Sequence, residues 1–175
     1  MLTGSEIKKQ IELGNIVIDP FDESRLNPNS YNLRLADTLK VYQPEFGLLD
    51  CKKDNPTTTI TIPESGLILH PGQLYLGSTM EYTKCGDFIA GIDGRSSVGR
   101  LGIVVHLTAG FGDIGFSGKW TLEISVIQPV RIYKGMEICQ IYFHRADGDT
   151  DIRYTGKYLE QSDPTPSRMV LDKSL

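Results

Sequence analysis

Glu123 stands in the strand-like run Thr121-Leu122-Glu123-Ile124-Ser125-Val126, where a carboxylate is costly to bury without a partner or a task. Flanking Leu122 and Ile124 offer it a partly desolvated setting, the kind proton transfer near neutral pH requires. A second kind of chemistry lies upstream. Gly94-Arg95-Ser96-Ser97 reads as a tight turn feeding a short helix that ends at Gly99 or Gly102. Such a start leaves backbone N–H groups pointing outward, which suits an anion such as a phosphate. Arg100, always ionised, suits the stabilisation of developing negative charge. Taken singly these residues have plainer readings. A serine pair after Gly-Arg is often a helix cap, and a strand Glu usually faces water. Their joint order is more specific.

Four motifs recur in that order: Gly94-Arg95-Ser96-Ser97-x-x-Arg100, His106-x-Thr108-Ala109, Asp113-x-Gly115-Phe116-x-Gly118 and Thr121-Leu122-Glu123. Together they resemble the core of the dCTP deaminase family, part of the dUTPase superfamily. The segment Asn27 to Leu35 is similar to that family's N-terminal signature. Gly156-Lys157-Tyr158-x-x-Gln161, followed by Pro164 to Arg168, resembles its C-terminal lid. The likeness therefore runs through nearly the whole chain.

The resemblance implies a reaction. Hydrolytic loss of an amine from cytosine needs a deprotonated water, and protons for the ring nitrogen and the leaving amine; one carboxylate can shuttle both. It makes Glu123 that shuttle, with Ser96, Arg100 and the Ala109 carbonyl orienting or polarising the water. Arg95, Ser96, Ser97, Gln140 and Lys157 match positions that hold phosphates or sugar, and Asp113 matches a carboxylate near the deoxyribose. Thr121, Leu122 and Gln161 join the nucleotide contacts, and Tyr154 is the nearest match to a lid tyrosine, at a different spacing. Members that release dUMP follow Thr-Ala with Gly-Phe or Gly-Trp, whereas single-activity deaminases carry His-Arg. Thr108-Ala109-Gly110-Phe111 therefore points to the dUMP-forming branch. Gly110 would leave room for a second water attacking the phosphate chain, with Asp113 or a neighbour as base, and would allow backbone conformations closed to His. Three readings stay open: a bifunctional enzyme taking dCTP to dUMP, ammonia and diphosphate; a deaminase that stops at dUTP; and a regulatory nucleotide-binding trimer.

Zinc deaminases carry H-x-E and P-C-x-x-C, and neither is present. No metal ligands are expected from the protein; magnesium would be held mainly by the nucleotide phosphates. Cys51, Cys85 and Cys139 are odd in number and scattered, which fits reduced thiols better than a disulfide framework. His106 reads as a structural histidine and Trp120 as packing at a core or subunit surface. A net charge of −4 argues against nucleic acid or membrane surfaces as partners. With no apolar run of spanning length and no signal peptide at Met1 to Glu6, a cytoplasmic location is expected. From the family come a homotrimer with shared active sites and possible inhibition by dTTP.

The elements that must position these groups are mostly short strands. Thr3-Gly4-Ser5-Glu6 has the spacing of a capping box, and Ile7, Ile11 and Gly14 predict a helix over 4–13. Tyr31, Leu33 and Leu35 alternate with polar residues, and Leu39 and Val41 extend that pattern. Further strands are expected at 57–62, 67–69, 74–82, 88–92, 103–107, 120–126, 130–133 and 138–143. With 18 glycines and 9 prolines between them, an all-β distorted jelly roll with one N-terminal helix follows. Length and pattern predict one domain over 1–175, with about 155–175 as the lid.

Overall fold

The computed structural model describes residues 1–43 and 47–172. Helix α1 (Gly4–Glu12) opens the chain, and Thr3 caps it, its hydroxyl accepting from the Glu6 N–H at 3.3 Å. The returning half of the expected capping box is not made. Glu6 Oε1 instead accepts from Gln10 Nε2 at 2.8 Å and Arg145 Nη2 at 2.7 Å, because a guanidinium is a stronger partner than a backbone amide.

Among the described residues the rest is β structure with irregular links and short helical turns. One antiparallel sheet has the order β10-β8-β14-β2, from Phe111–Gly112, Phe88–Gly94, Glu137–Arg145 and Tyr31–Arg34. A second has the order β4-β3-β6-β12-β9, from Thr57–Thr61, Thr38–Tyr42, Tyr75–Ser78, Thr121–Val126 and Ile103–Val104. Two smaller sheets join β1 (Val17–Asp19), β7 (Tyr82–Lys84) and β11 (Ser117–Gly118), and β5 (Leu67–Leu69) with β13 (Val130–Ile132). The inward positions of both large sheets, among them Leu33, Ile92 and Ile141 on one and Leu39, Leu122 and Ile124 on the other, form one buried cluster. The alternation read at Tyr31, Leu33 and Leu35 is the visible edge of that core; all three are fully buried. The expected all-β architecture is the observed one.

Two expected strands break for identifiable reasons. The 74–82 run divides into β6 and β7 at Thr79, whose hydroxyl accepts from the Trp120 N–H (3.0 Å) and donates to the Glu81 carbonyl (2.8 Å). The 103–107 run keeps only Ile103 and Val104, which pair with Val126 and Ser125; beyond them the chain leaves the ladder, carrying His106 and Thr108 to Glu123. β1, β10 and β11 escaped sequence reading because two or three residues show no measurable period.

One buried ion pair ties these corners together. Glu81 is fully inaccessible; it accepts from the Arg34 backbone N–H at 2.9 Å and from Arg34 Nε at 2.7 Å. The pair joins the end of β2 to the Thr79–Glu81 bend, behind the strands that carry the site.

Candidate active site

β12 places its residues by simple alternation. Leu122 and Ile124 are fully buried in the core, so Thr121 and Glu123 face the other way, onto a cleft of about 500 Å³. Leu122 was expected among the nucleotide contacts; its side chain points away from the cleft. The surroundings of Glu123 are likewise not the sequence neighbours but Leu76, its cross-strand partner on β6, with His106 and Phe111 across the cleft.

The loop after β9 supplies the contacts to Glu123. Thr108 donates to Glu123 Oε2 through its N–H at 3.3 Å and its hydroxyl at 3.4 Å. His106 Nδ1 accepts a long 3.4 Å hydrogen bond from the Glu123 backbone N–H. The histidine read from the sequence as structural therefore stands inside the cleft, beside Glu123. In the sequence Thr108 is visible as a contact only through its position two residues after His106, on the same face if the segment stays extended.

Ala109 and Asp113 also line the cleft. Gly110 does not, and its φ lies outside the left-handed region. What demands glycine there is close approach: an added Cβ would meet the Ile92 carbonyl oxygen at 2.6 Å and His106 at 3.4 Å. The conformational reason expected from the sequence is replaced by a steric one. Trp120 closes the floor, buried, with Nε1 donating to Thr83 Oγ1 at 2.9 Å and its ring 4.8 Å from Phe116. Tyr154 stacks edge-on against Phe116 at 5.9 Å and accepts from the Tyr158 N–H, so it shapes the wall from the side.

The C-terminal segment covers the cleft from this same chain. Gln161 bridges Gly118 in parallel, and its carbonyl accepts from the Lys119 N–H at 2.8 Å. Thr121 Oγ1 accepts from the Thr165 N–H at 3.1 Å and lies 3.3 Å from Gln161 Oε1. Tyr42, which no sequence signal pointed to, accepts from the Ser167 N–H at 2.8 Å. Residues 173–175 of the expected lid lie outside the described residues.

The anion-suited turn is elsewhere. Helix α2 (Ser96–Gly99) follows Arg95 as expected, and Ser96, Ser97 and Arg100 are exposed. None of Arg95, Ser96, Ser97, Arg100, Gln140 or Lys157 lines the cleft. Arg95 pairs with Glu137 at 3.0 Å, Gln140 donates to the Gly94 carbonyl at 3.1 Å, and Lys157 pairs with Asp172. The expected site residues thus form two groups on one chain. A larger open groove of about 750 Å³ runs past Gln10, Asn15 and Lys84. Its arginines Arg145 and Arg153 are committed to Glu6 and Asp87, and no motif residue lines it.

Two of the three thiols are buried away from the cleft. Burial pushes Cys85 up to about 12 and Cys139 higher still, and neither lines the cleft.

The class follows from the fold. The solved 2'-deoxycytidine 5'-triphosphate deaminase from Agrobacterium tumefaciens superposes with a TM-score of 0.63 over 83% of this chain, at 22% identity. The chain spans about half of that protein, 48% of its length. The two therefore share a fold. A family model described as dCTP deaminase-like matches residues 1–146, and the chain belongs to that family. Proteins named dCTP deaminase, dUMP-forming, from Clostridium beijerinckii and Leptospira biflexa are each 52% identical to it over 172 residues. Those matches cover 98% of this chain and 98% and 97% of the two relatives.

Proposed function

We propose that this chain is a hydrolase that converts dCTP to dUMP, ammonia and diphosphate. The observation that carries the reading is Glu123 on the cleft wall, oriented by Thr108 and facing a space also lined by Ala109 and Asp113. Curated relatives named as dUMP-forming, at half identity over nearly their full length, support the double reaction over deamination alone.

The steps follow from the groups present. Glu123 takes a proton from water as the water oxygen bonds to C4 of cytosine, and passes it to the ring nitrogen. The same carboxylate then takes the proton of the new C4 hydroxyl and delivers it to the amine; the C–O bond becomes the uracil carbonyl as the C–N bond breaks and ammonia leaves. The Ala109 carbonyl, Ser96 and Arg100 orient or polarise that water. Asp113 stands by the deoxyribose and, with its neighbours, serves the water that attacks the phosphate chain. Arg95, Ser96, Ser97, Gln140 and Lys157 hold phosphates or sugar, while Thr121, Gln161 and Tyr154 frame the nucleotide.

The separation of the two groups of residues supports a homotrimer in which the turn of one subunit completes the cleft of another. Leu101 and Ile127, exposed beside Arg100, supply apolar surface for such contacts. Magnesium is carried on the triphosphate, and the reaction is independent of zinc. No three His, Cys, Asp or Glu side chains converge as a metal cage among the described residues, and phosphate oxygens suit magnesium better. The chain works as one domain with 155–175 as its lid, in the cytoplasm, and dTTP is a candidate inhibitor. Among the described residues no helix is long and apolar enough to cross a membrane.

Incubation with dCTP and magnesium, followed by separation of products, tests this directly. Expected are dUMP, ammonia and diphosphate in equal amounts, with little free dUTP and no stoichiometric zinc in the active protein. Accumulation of dUTP would instead make the chain a single-activity deaminase, and no turnover would leave a nucleotide-binding protein. Gly110→His is a poor probe of the second step, because its Cβ already collides with the Ile92 carbonyl.

Removal of residues from Thr155 onward is expected to leave a folded β protein. It strips Gln161 and Thr165 from Thr121 and should raise the KM for dCTP at least about tenfold. Unchanged KM and kcat would reduce the tail to a surface strap.

A further inference from the structure

We infer that Glu137 is the positioning residue for Arg95, an inference that rests on the reading of Arg95 as a phosphate contact. The guanidinium is anchored through a single nitrogen. Nη1 donates to the Glu137 carbonyl at 3.1 Å and lies in an ion pair 3.0 Å from Glu137 Oε2. Nε and Nη2 make no hydrogen bond among the described residues, which leaves the three N–H groups on these two nitrogens for another acceptor. An arginine on an exposed turn would otherwise sample many rotamers and lose that freedom on binding.

Glu137 is itself held on two sides. Asn32 Nδ2 donates to its Oε2 at 3.0 Å, and Arg25 Nε lies 3.6 Å from its Oε1. Arg25 Nε is buried with no hydrogen-bond partner, so the carboxylate is the nearest counter-charge it has on that edge, while Asp22 takes Nη1 at 2.8 Å. Asn32 is fixed in turn by Asn27, whose Nδ2 donates to Asn32 Oδ1 at 2.7 Å. The same segment reaches the turn by a second route: Ser30 Oγ donates to Gln140 Oε1 at 2.8 Å, and Gln140 Nε2 donates to the Gly94 carbonyl at 3.1 Å.

The backbone is arranged for this. Gln140 pairs with Asn32 and Cys139 with Leu33, but Glu137, not Ile138, pairs with Arg34. That register shift is a bulge in β14. Strict alternation would put Glu137 on the core side with Cys139; the extra residue brings it to the face of β2 that carries Asn32 and Arg34. Glu137, Gln140 and Asn32 thereby share one polar face behind the Arg95 turn.

A double-mutant cycle tests the assignment in the intact protein. Glu137→Ala is expected to raise the KM for dCTP about tenfold with kcat within about twofold, the pattern of lost uniform binding. Arg95→Ala should raise KM at least as far, and adding Glu137→Ala to it should change nothing further, because the carboxylate acts only through the arginine. If Glu137→Ala misfolds by thermal melting, Glu137→Gln, which keeps shape and removes charge, enters the same cycle. Additive effects of the two substitutions overturn the proposal. So does an unchanged or lowered KM in the Glu137 variant while Arg95→Ala is impaired; a lowered KM would mean the carboxylate opposes the polyanion. An unchanged KM in Arg95→Ala overturns it too, but by removing the phosphate reading of Arg95 beneath it.

Discussion

Glu123→Gln is expected to cut ammonia release from dCTP by at least ~10²–10⁴-fold, the usual share of general acid–base catalysis. Gln keeps the length and one oxygen of the side chain, so Thr108 can still donate to it and the loop over β12 need not move. Nucleotide binding should survive, because the group lost is a base and not a counter-charge to the phosphates. Loss of rate with little change in dCTP affinity therefore identifies the shuttle. Ammonia release near the wild-type rate would show Glu123 to be an ordinary half-exposed strand carboxylate.

The second large effect falls on stability. Glu81→Ala leaves the Arg34 guanidinium and backbone N–H without their acceptors in a largely enclosed place, and should cost about 3–5 kcal/mol. For a chain of this size the thermal midpoint should fall by roughly 10 °C. Removing both charges together, with Glu81→Leu and Arg34→Met, should restore much of that loss, since an apolar pair of similar volume avoids the desolvation cost. An unchanged midpoint in Glu81→Ala would mean that water reaches Arg34 once the carboxylate is gone.

Much of the molecule could be read from local sequence. The Thr3 cap, the Arg95 turn into α2 and the strand positions of Tyr31, Leu33 and Glu123 each depend on residues within one turn or one pleat. The inward aim of Leu122 was also legible. Period two sends its side chain opposite to that of Glu123. The four ordered motifs carried the family, and two of their glycines, Gly115 and Gly118, hold positive φ in the structure.

Other features were settled only by pairing between distant segments. Nothing near Glu81 announces that it will be buried against Arg34, 47 residues away. Thr108 and His106 reach Glu123 because β9 leaves its ladder after two residues. Glu137 joins Asn32 because a bulge reverses its face, and no alternation rule predicts a bulge. The sequence by itself determined the class of elements and the turn chemistry, since these rest on interactions a few residues long. The tertiary structure decided which groups meet: Glu123 with Thr108 in the cleft, Arg95 with Glu137 apart from it. That outcome depends on strand register, a competition among non-local pairings that no short window of sequence contains.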